Sequence, residues 1–243
     1  MNKKIASNPK PASAVSQPKI YHLKVTLADV DPPLWRRLEV EGDLPIDFIS
    51  GAIRGVFGWS PGHQSEFTIK GRRYGDPTDW ARFDPEQEYD RRHREIIKRR
   101  LKLKEERREL EKMSAEIEAL SAANETEEDF IPLLCELVPR VRTKFKFLFD
   151  FGDCWEHNVE VEKIAPAEPD VRYPRCTDGA GADPIEDCGG AWRLTELMNL
   201  AKTDPRSSRL QEYRHIIPEN WRPEQFSVEE INRRLAEQFR NSE

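Results

Sequence analysis

The sequence lacks a long apolar run. No stretch reaches the roughly 18 consecutive apolar residues that indicate a membrane-spanning helix. The first residues, MNKKIASNPKPASAVSQPK, begin with two lysines after an initial Met-Asn, but contain no apolar segment of the kind that a signal peptide needs. We therefore expect residues 1–19 to form a disordered tail ahead of a single domain at 20–243.

Cysteine is scarce, and familiar catalytic motifs are absent. The four cysteines include no CxxC pair, which favours free thiols in a reducing compartment and predicts a cytoplasmic protein. The letters DFG at residues 150–152 match a protein-kinase motif, but the kinase catalytic loop, phosphate loop and V-A-I-K strand are missing. The chain also contains no P-loop, HExxH or GxSxG sequence. These absences exclude the enzyme classes that those motifs define.

Charged residues, by contrast, are abundant. They make up 35% of the chain, and the net charge of -6 argues against nucleic-acid binding over the whole surface but allows a local basic patch. A seven-residue apolar repeat predicts a long helix over 86–120, within a charged insertion at 84–125. Between Arg91 and Arg108 there are ten Lys or Arg against three Glu. A solvated helix is the simpler interpretation, and contact with a protein or nucleic-acid partner is the alternative. The candidate contact residues are Arg91, Arg92, Arg94, Lys98, Arg99, Arg100 and Lys102.

The spacing of apolar residues predicts an α+β fold. YHLKVTL alternates like a half-buried strand, and LWRRLEV follows as a second strand whose Arg36–Arg37 pair suggests a β-bulge. In IDFISGAIRGVFGW the apolar residues have helical spacing, and EFTIKGRRYG predicts a hairpin that turns at Lys70–Gly71. FSVEEINRRLAEQF predicts a helix that is capped by Ser227. Short connections without a repeated βαβ rhythm predict an antiparallel sheet of hairpins packed against helices.

KFKFLFDFGDCWEHNVEVEK, residues 144–163, predicts a β-hairpin with an acidic turn. A three-residue loop, 152–154, would place the phenylalanines, Trp155 and His157 on one apolar face. The same register would oppose Asp150 to Glu156, beside Asp153. Such a pocket could receive Arg36 or Arg37 in a salt-bridge network, bind a divalent cation, or share a proton in catalysis.

A zinc set is a further hypothesis for the same region. The long, aperiodic segment 166–190 carries Cys176 and Cys188, which together with His63 and His157 would supply two thiolates and two imidazoles. Their spacing matches no standard zinc module. Two buried free thiols and a core histidine are therefore the simpler alternative.

Together these motifs resemble the plasmid pRiA4b ORF-3-like family, an uncharacterised family found in plasmids, mobile elements and bacterial genomes. Some members are labelled insertion-element passenger proteins. The resemblance implies a compact α+β fold with a curved antiparallel sheet and no established activity. It is carried by YHLKVTLADVDPPLWRRLEV, GWSPGHQSEFTIKGRRYGDP, FDFGDCWEHNVEVEKI, RYPRCTDGAGADPIEDCGG and FSVEEINRRL.

The chain departs from the family pattern close to its candidate site residues. The usual His-x-His-Glu-Phe run reads His63-Gln64-Ser65-Glu66-Phe67, so His63 and Glu66 carry over while the second histidine is Ser65. Cys154 replaces the usual Gly or Asn of the hairpin turn, and the basic segment at 86–120 resembles an insertion. A metal site built on the paired histidines would be weakened here.

Two functions fit the sequence. The first is an accessory or interaction module of plasmid or mobile-element background that binds a protein or nucleic-acid partner, favoured because no catalytic motif is recognised. The alternative is a metal-dependent hydrolase or nuclease that uses the acidic hairpin turn, Asp150, Asp153 and Glu156, together with His157, and with His63 as an additional candidate. The candidate cluster comprises Asp150, Asp153, Glu156, His157, Trp155, Arg36, Arg37, His63 and Glu66.

Overall fold

Seven strands form one antiparallel sheet in the order β4-β3-β5-β6-β1-β2-β7. The structure, a computed structural model, describes residues 18–75 and 131–240. Its strands are β1 (Lys19–Leu27), β2 (Trp35–Glu41), β3 (Ser65–Ile69), β4 (Arg72–Gly75), β5 (Lys144–Phe149), β6 (Trp155–Pro166) and β7 (Arg175–Ala180). Its helices are α1 (Ile46–Phe57), α2 (Leu134–Leu137), α3 (Gly190–Thr203), α4 (Ser208–Glu212) and α5 (Val228–Gln238). The predicted α+β class is confirmed.

Three sequence predictions lie outside the described residues. They are the charged insertion at 84–125, the basic helix within it, and the tail predicted at 1–19 except for its last two residues, of which Lys19 begins β1. In the two described ranges, no helix combines the length and apolar character needed to cross a membrane. The segment 166–190, predicted to be a long irregular loop, instead contains the end of β6 and all of β7.

The sheet buries one face because apolar and polar residues alternate along its strands. In β1 the residues Tyr21, Leu23, Val25 and Leu27 are buried, and the polar residues between them are partly exposed. On the polar face, Lys146 Nζ lies 2.8 Å from a Glu156 oxygen, and Lys144 pairs with Glu160 at 3.4 Å. Alternation therefore determines which side of the sheet receives the helices.

Helix α1 covers the buried face. Its Ile49, Ile53, Val56 and Phe57 are fully buried at helical spacing, as predicted. It ends at Gly58, whose φ of 74° is the left-handed conformation that glycine adopts at helix ends. α1 packs on β2 and on α5, and α5 also packs on β7. At the start of α5 the Ser227 side chain accepts the Glu230 N–H, which confirms the predicted cap.

The β3–β4 hairpin turns where the sequence predicted. Lys70 and Gly71 both have positive φ, 50° and 76°, as a two-residue type I′ turn requires. The strands pair from Glu66 opposite Gly75 to Ile69 opposite Arg72. This short hairpin forms one edge of the sheet.

Strand β2 pairs with β1 without a register shift, which corrects the predicted bulge at Arg36–Arg37. Arg36 lies on the buried face in line with Leu38 and Val40, and its residue is only 1% exposed. The irregularity lies between β2 and β7, where Arg37 pairs with Asp178 but Leu38 pairs with Cys176. The extra residue is therefore in β7. Because arginine is polar, the pattern of residue types does not indicate that Arg36 lies on the buried face.

The guanidinium of Arg36 is satisfied inside the core. Its Nε donates to Val56 O (3.0 Å), Nη1 donates to Trp35 O (3.0 Å) and Ala180 O (2.8 Å), and Nη2 donates to Asp183 Oδ1 (3.3 Å). Burial lowers the pKa of Arg36, and the charge of Asp183 opposes that effect. Because these partners lie on separate elements, one side chain joins β2, α1, β7 and the loop after β7.

The β5–β6 hairpin has the predicted apolar face but a different register. Phe149 opposes Trp155 and Phe147 opposes His157, two residues from the predicted pairing. A shift of two keeps every side chain on its face, so the strand phenylalanines are buried, whereas Phe151 is 42% exposed. The turn therefore contains five residues, 150–154, instead of three.

The new register removes the predicted acidic pocket. Leu148, not Asp150, opposes Glu156, and Glu156 pairs with Lys146 at 2.8 Å. The predicted arginine partners also lie elsewhere. Arg36 contacts Asp183, while Arg37 pairs with Glu162 at 2.8 Å and with Asp178 at 2.7 Å.

We expect Arg36→Ala to lower the free energy of unfolding by about 3–5 kcal/mol, because the change leaves buried carbonyl groups without donors. Chemical denaturation followed by circular dichroism measures this loss. Arg37→Ala is the matched control. Its salt bridges are exposed, so we expect a loss below about 1 kcal/mol. Equal losses for the two variants would contradict the assigned role of Arg36.

Candidate metal centre

His63 lies in the loop between α1 and β3. The loop is anchored by Trp59, a buried residue whose ring stacks on Phe149 with centroids 4.9 Å apart. The His63 ring also contacts Phe149, edge-on at 5.6 Å, and its side chain is 30% exposed. The imidazole is therefore supported on one side by the core and open to solvent.

Asp150 is the first residue of the five-residue turn. It adopts a φ of 55°, and Cys154 a φ of 54°, a conformation that aspartate tolerates better than most residues. The turn is closed by the Cys154 N–H, which donates to Asp150 O at 2.7 Å. The Asp150 carboxylate accepts the Gly152 N–H at 2.9 Å, and its N–H donates to Gln64 O at 2.8 Å. These bonds hold the Asp150 side chain beside the His63 loop.

Asp187 belongs to the loop between β7 and α3. The preceding residue, Glu186, accepts the Ser60 N–H at 2.5 Å and so joins this loop to the His63 loop. Two residues after Asp187, the Gly189 N–H donates to Asp153 Oδ2 at 3.1 Å, which joins it to the hairpin turn. Three chain segments therefore meet at one end of the sheet, where β3 begins, β5 ends and β6 begins.

His63, Asp150 and Asp187 form a cluster with the chemistry of a metal site. Their ligand-type atoms all lie within 4.8 Å of one another, and Asp150 Oδ1 is 3.4 Å from His63 Nδ1. An ion with bonds of about 2.0–2.2 Å needs ligand atoms no further apart than twice that length. The 4.8 Å bound on the cluster lies close to this limit. One imidazole and two carboxylates suit Mn²⁺, Zn²⁺ or Fe²⁺.

His157 occupies the core rather than this cluster. Its residue is 0% exposed, its Nε2 accepts the Trp59 Nε1–H at 3.1 Å, and its Nδ1 lies 3.2 Å from Phe147 O. Burial lowers the pKa of His157 to about 4, although hydrogen bonds to Phe147 and Trp155 backbone act in the opposite direction. The ring is therefore uncharged near neutral pH and offers no free ligand atom. This matches the simpler of the two interpretations drawn from the sequence.

The predicted Cys₂His₂ zinc set is not assembled. Over residues 18–75 and 131–240, the one group with metal-ligand proximity is His63, Asp150 and Asp187. Cys176 and Cys188 are buried free thiols, and burial raises their pKa values to about 11 and about 12. Burial therefore favours the neutral thiol of both cysteines, whereas a metal ion binds the thiolate.

The other predicted site residues are separated from the cluster. Glu66 pairs with Arg73 at 2.6 Å, Glu156 pairs with Lys146, and Trp155 is buried against Trp59 with ring centroids 5.0 Å apart. Asp153 takes a supporting position through its bond to Gly189. Of the nine residues in the candidate cluster predicted from the sequence, His63 and Asp150 are therefore the two that lie in the group with Asp187.

Asp187 is the member of the cluster that sequence reasoning missed as a site residue. It was one of several acids in the segment 166–190, far along the chain from both partners. Its φ of 57° is visible only in the structure. The one sequence signal nearby is the pair Gly189–Gly190. Both residues have positive φ, and a Cβ at Gly190 would lie 2.6 Å from Asp153 O.

The fold and this cluster define an α+β protein with one seven-stranded antiparallel sheet and a metal-type His/Asp group at one end. The chain belongs to the plasmid pRiA4b ORF-3-like protein family, whose model matches residues 19–230. This confirms the resemblance drawn from the sequence. The uncharacterized protein y4hQ of Sinorhizobium fredii (strain NBRC 101917 / NGR234) is 28% identical over 190 residues, which cover 78% of this chain and 76% of that protein.

A similar fold occurs in a solved structure. The crystal structure of MM3350, a protein of unknown function from Methanosarcina mazei Go1, superimposes with a TM-score of 0.59 at 21% identity. The match covers 88% of this chain and 97% of that chain. At this identity the likeness concerns the fold alone.

The low pKa of His157 predicts that the protein loses stability in mild acid. In the unfolded chain the His157 imidazole is protonated below about pH 6.5, whereas in the folded protein it is protonated only near pH 4. The contribution of the neutral His157 to the free energy of unfolding is therefore complete above pH 6.5 and falls as the pH drops. The loss amounts to about 3 kcal/mol over that interval. Urea unfolding of the wild type and of His157→Gln, from pH 7 to 4, isolates it. Parallel stability curves would contradict the assignment.

Proposed function

We propose that this protein binds one divalent metal ion through His63, Asp150 and Asp187. The observation that supports the proposal is their convergence within 4.8 Å from three separate loops. Hydrogen bonds between those loops, Ser60 to Glu186 and Gly189 to Asp153, hold the backbone in place before any ligand arrives. Such support from neighbouring residues is typical of metal sites.

The same arrangement favours metal-dependent hydrolysis as the chemistry. Three protein ligands leave coordination positions for water and substrate, as catalytic centres do, whereas structural centres are closed by four ligands. A divalent ion with open positions activates water for hydrolysis. In this form the hydrolase hypothesis uses His63 and Asp187 in place of His157 and Glu156, because the latter pair is engaged elsewhere.

We expect the wild-type protein to bind about one Mn²⁺ per chain, measured by electron paramagnetic resonance of the free ion. Asp150→Asn and Asp187→Asn each remove a charged ligand while keeping the side-chain shape, and asparagine also tolerates positive φ. Each variant should weaken binding by about tenfold or more, at least the loss seen when supporting residues of metal sites are removed.

Asp170→Asn is the matched control. Asp170 is exposed and has a φ of 60°, like the two cluster aspartates, but it is not a member of the cluster. We expect it to bind Mn²⁺ like the wild type. The proposal fails if wild-type protein binds no Mn²⁺, or if the control loses as much affinity as the cluster variants.

Partner binding is a second candidate function, carried by the basic segment that contains Arg91–Arg108. Its ten Lys or Arg against three Glu favour contact with nucleic acid or an acidic protein in an accessory module of plasmid or mobile-element background. This segment lies outside the described residues. The cytoplasmic location likewise remains a prediction from the cysteine pattern.

Deletion of residues 86–120 tests this second candidate. If the segment binds nucleic acid, the full chain should shift the fluorescence anisotropy of a labelled duplex, and the affinity should fall steeply between low and physiological salt. The deletion variant should lose that binding while retaining Mn²⁺ affinity. Binding that is unchanged by the deletion, or insensitive to salt, would refute the role of the segment.

A further inference from the structure

We propose that Asp153 and Glu186 are positioning residues of the metal centre, which hold the loops of the metal ligands through backbone N–H groups and do not bind the ion. The inference rests on the proposed metal binding. It divides the carboxylates at this end of the sheet into two kinds. Asp150 and Asp187 act through their charge, whereas Asp153 and Glu186 act as hydrogen-bond acceptors.

Three loops carry one metal ligand each, and they are the His63 loop (residues 58–64), the hairpin turn (150–154) and the Asp187 loop (181–189). The Asp187 loop accepts the Ser60 N–H of the His63 loop on Glu186 Oε1, at 2.5 Å. It also donates the Gly189 N–H to Asp153 Oδ2 of the hairpin turn, at 3.1 Å. Glu186 and Asp153 therefore each join two of the three loops.

A third hydrogen bond closes these links into a ring. The hairpin turn donates the Asp150 N–H to Gln64 O in the His63 loop, at 2.8 Å. Each loop thus donates one hydrogen bond to one neighbour and accepts one from the other. This closure holds every loop against both of the others, and it limits the positions that the three metal ligands can take.

The surroundings of Asp153 and Glu186 fit a supporting role. Glu186 directly precedes the ligand Asp187, and the residues on either side of this pair, Ile185 and Cys188, are 3% and 2% exposed. Asp153 lies so close to Gly190 that a Cβ there would be 2.6 Å from Asp153 O. Over residues 18–75 and 131–240, the group with metal-ligand proximity contains neither Asp153 nor Glu186.

The two kinds of carboxylate respond differently to replacement by an amide. A charged metal ligand loses affinity for the ion when Asp becomes Asn, as we expect for Asp150 and Asp187. An acceptor keeps its role, because the amide oxygen of Asn or Gln accepts an N–H as a carboxylate oxygen does. Alanine removes the acceptor and releases the neighbouring loop. A comparison of amide and alanine variants therefore separates positioning from metal ligation.

Mn²⁺ binding by the full chain, measured by electron paramagnetic resonance of the free ion, tests the inference. We expect Asp153→Ala and Glu186→Ala each to weaken Mn²⁺ binding by about tenfold, the lower end of the loss seen when supporting residues of metal sites are removed. Asp153→Asn and Glu186→Gln should bind Mn²⁺ with nearly wild-type affinity. Glu219→Ala, which removes an exposed carboxylate outside the three loops, is the matched control and should bind Mn²⁺ like the wild type.

Two results would overturn the inference while the proposed metal binding stands. A loss of about tenfold or more in Asp153→Asn or Glu186→Gln would show that the carboxylate charge itself acts on the ion. This comparison stays decisive even if an alanine variant does not fold. Wild-type affinity in a folded alanine variant would show that its residue does not position a ligand. Absence of Mn²⁺ binding by the wild type would instead refute the proposed function, and this inference with it.

Discussion

Arg36 places a cation inside the apolar face of the sheet, and the groups that receive its hydrogen bonds come from four parts of the chain. They are the carbonyl groups of Val56 in α1, Trp35 in β2 and Ala180 in β7, and the carboxylate of Asp183 beyond β7. A buried charge is tolerated only when its bonding capacity is met. The end of α1 and the chain leaving β7 are therefore held close to β2, and alternative arrangements of these segments would leave the charge unpaired.

Asp183 extends this constraint to α5 and to the candidate centre. It also accepts from Arg234 Nη1 at 2.6 Å, and its carbonyl accepts the Trp221 Nε1–H at 3.0 Å. Four residues later in the same loop lies Asp187. The loop is thus fastened at one end by Arg36 and Arg234 and at the other by Asp153 through Gly189. The exposed Asp187 gains a defined position because its loop is tied to the core.

Much of the fold was predictable because it follows from local patterns. Alternation in YHLKVTL predicted β1, and the helical spacing around Ile53 predicted α1. The capping residue Ser227 predicted the start of α5, and Lys70–Gly71 predicted the turn of the β3–β4 hairpin. Each of these signals depends on residues within a few positions of one another. The apolar face of the β5–β6 hairpin was predictable for the same reason, since side-chain parity survives a register shift of two.

The candidate site was predictable only in part. His63 and Asp150 could be selected by residue type and by their motifs, but the three-residue turn and the opposition of Asp150 to Glu156 were wrong. Loop length depends on the backbone conformations of Asp150 and Cys154, both left-handed, which residue type alone does not specify. His157 had two interpretations in the sequence, and its burial beneath Trp59 decided between them.

The sequence by itself determined the class of fold, the family and the faces of the strands, because periodicity and motif order are properties of the chain. The tertiary structure alone decided that Arg36 points inward and that Asp187 joins His63 and Asp150. These outcomes depend on contacts between residues remote in the chain. Such contacts form when elements pack, and no short stretch of the sequence encodes them.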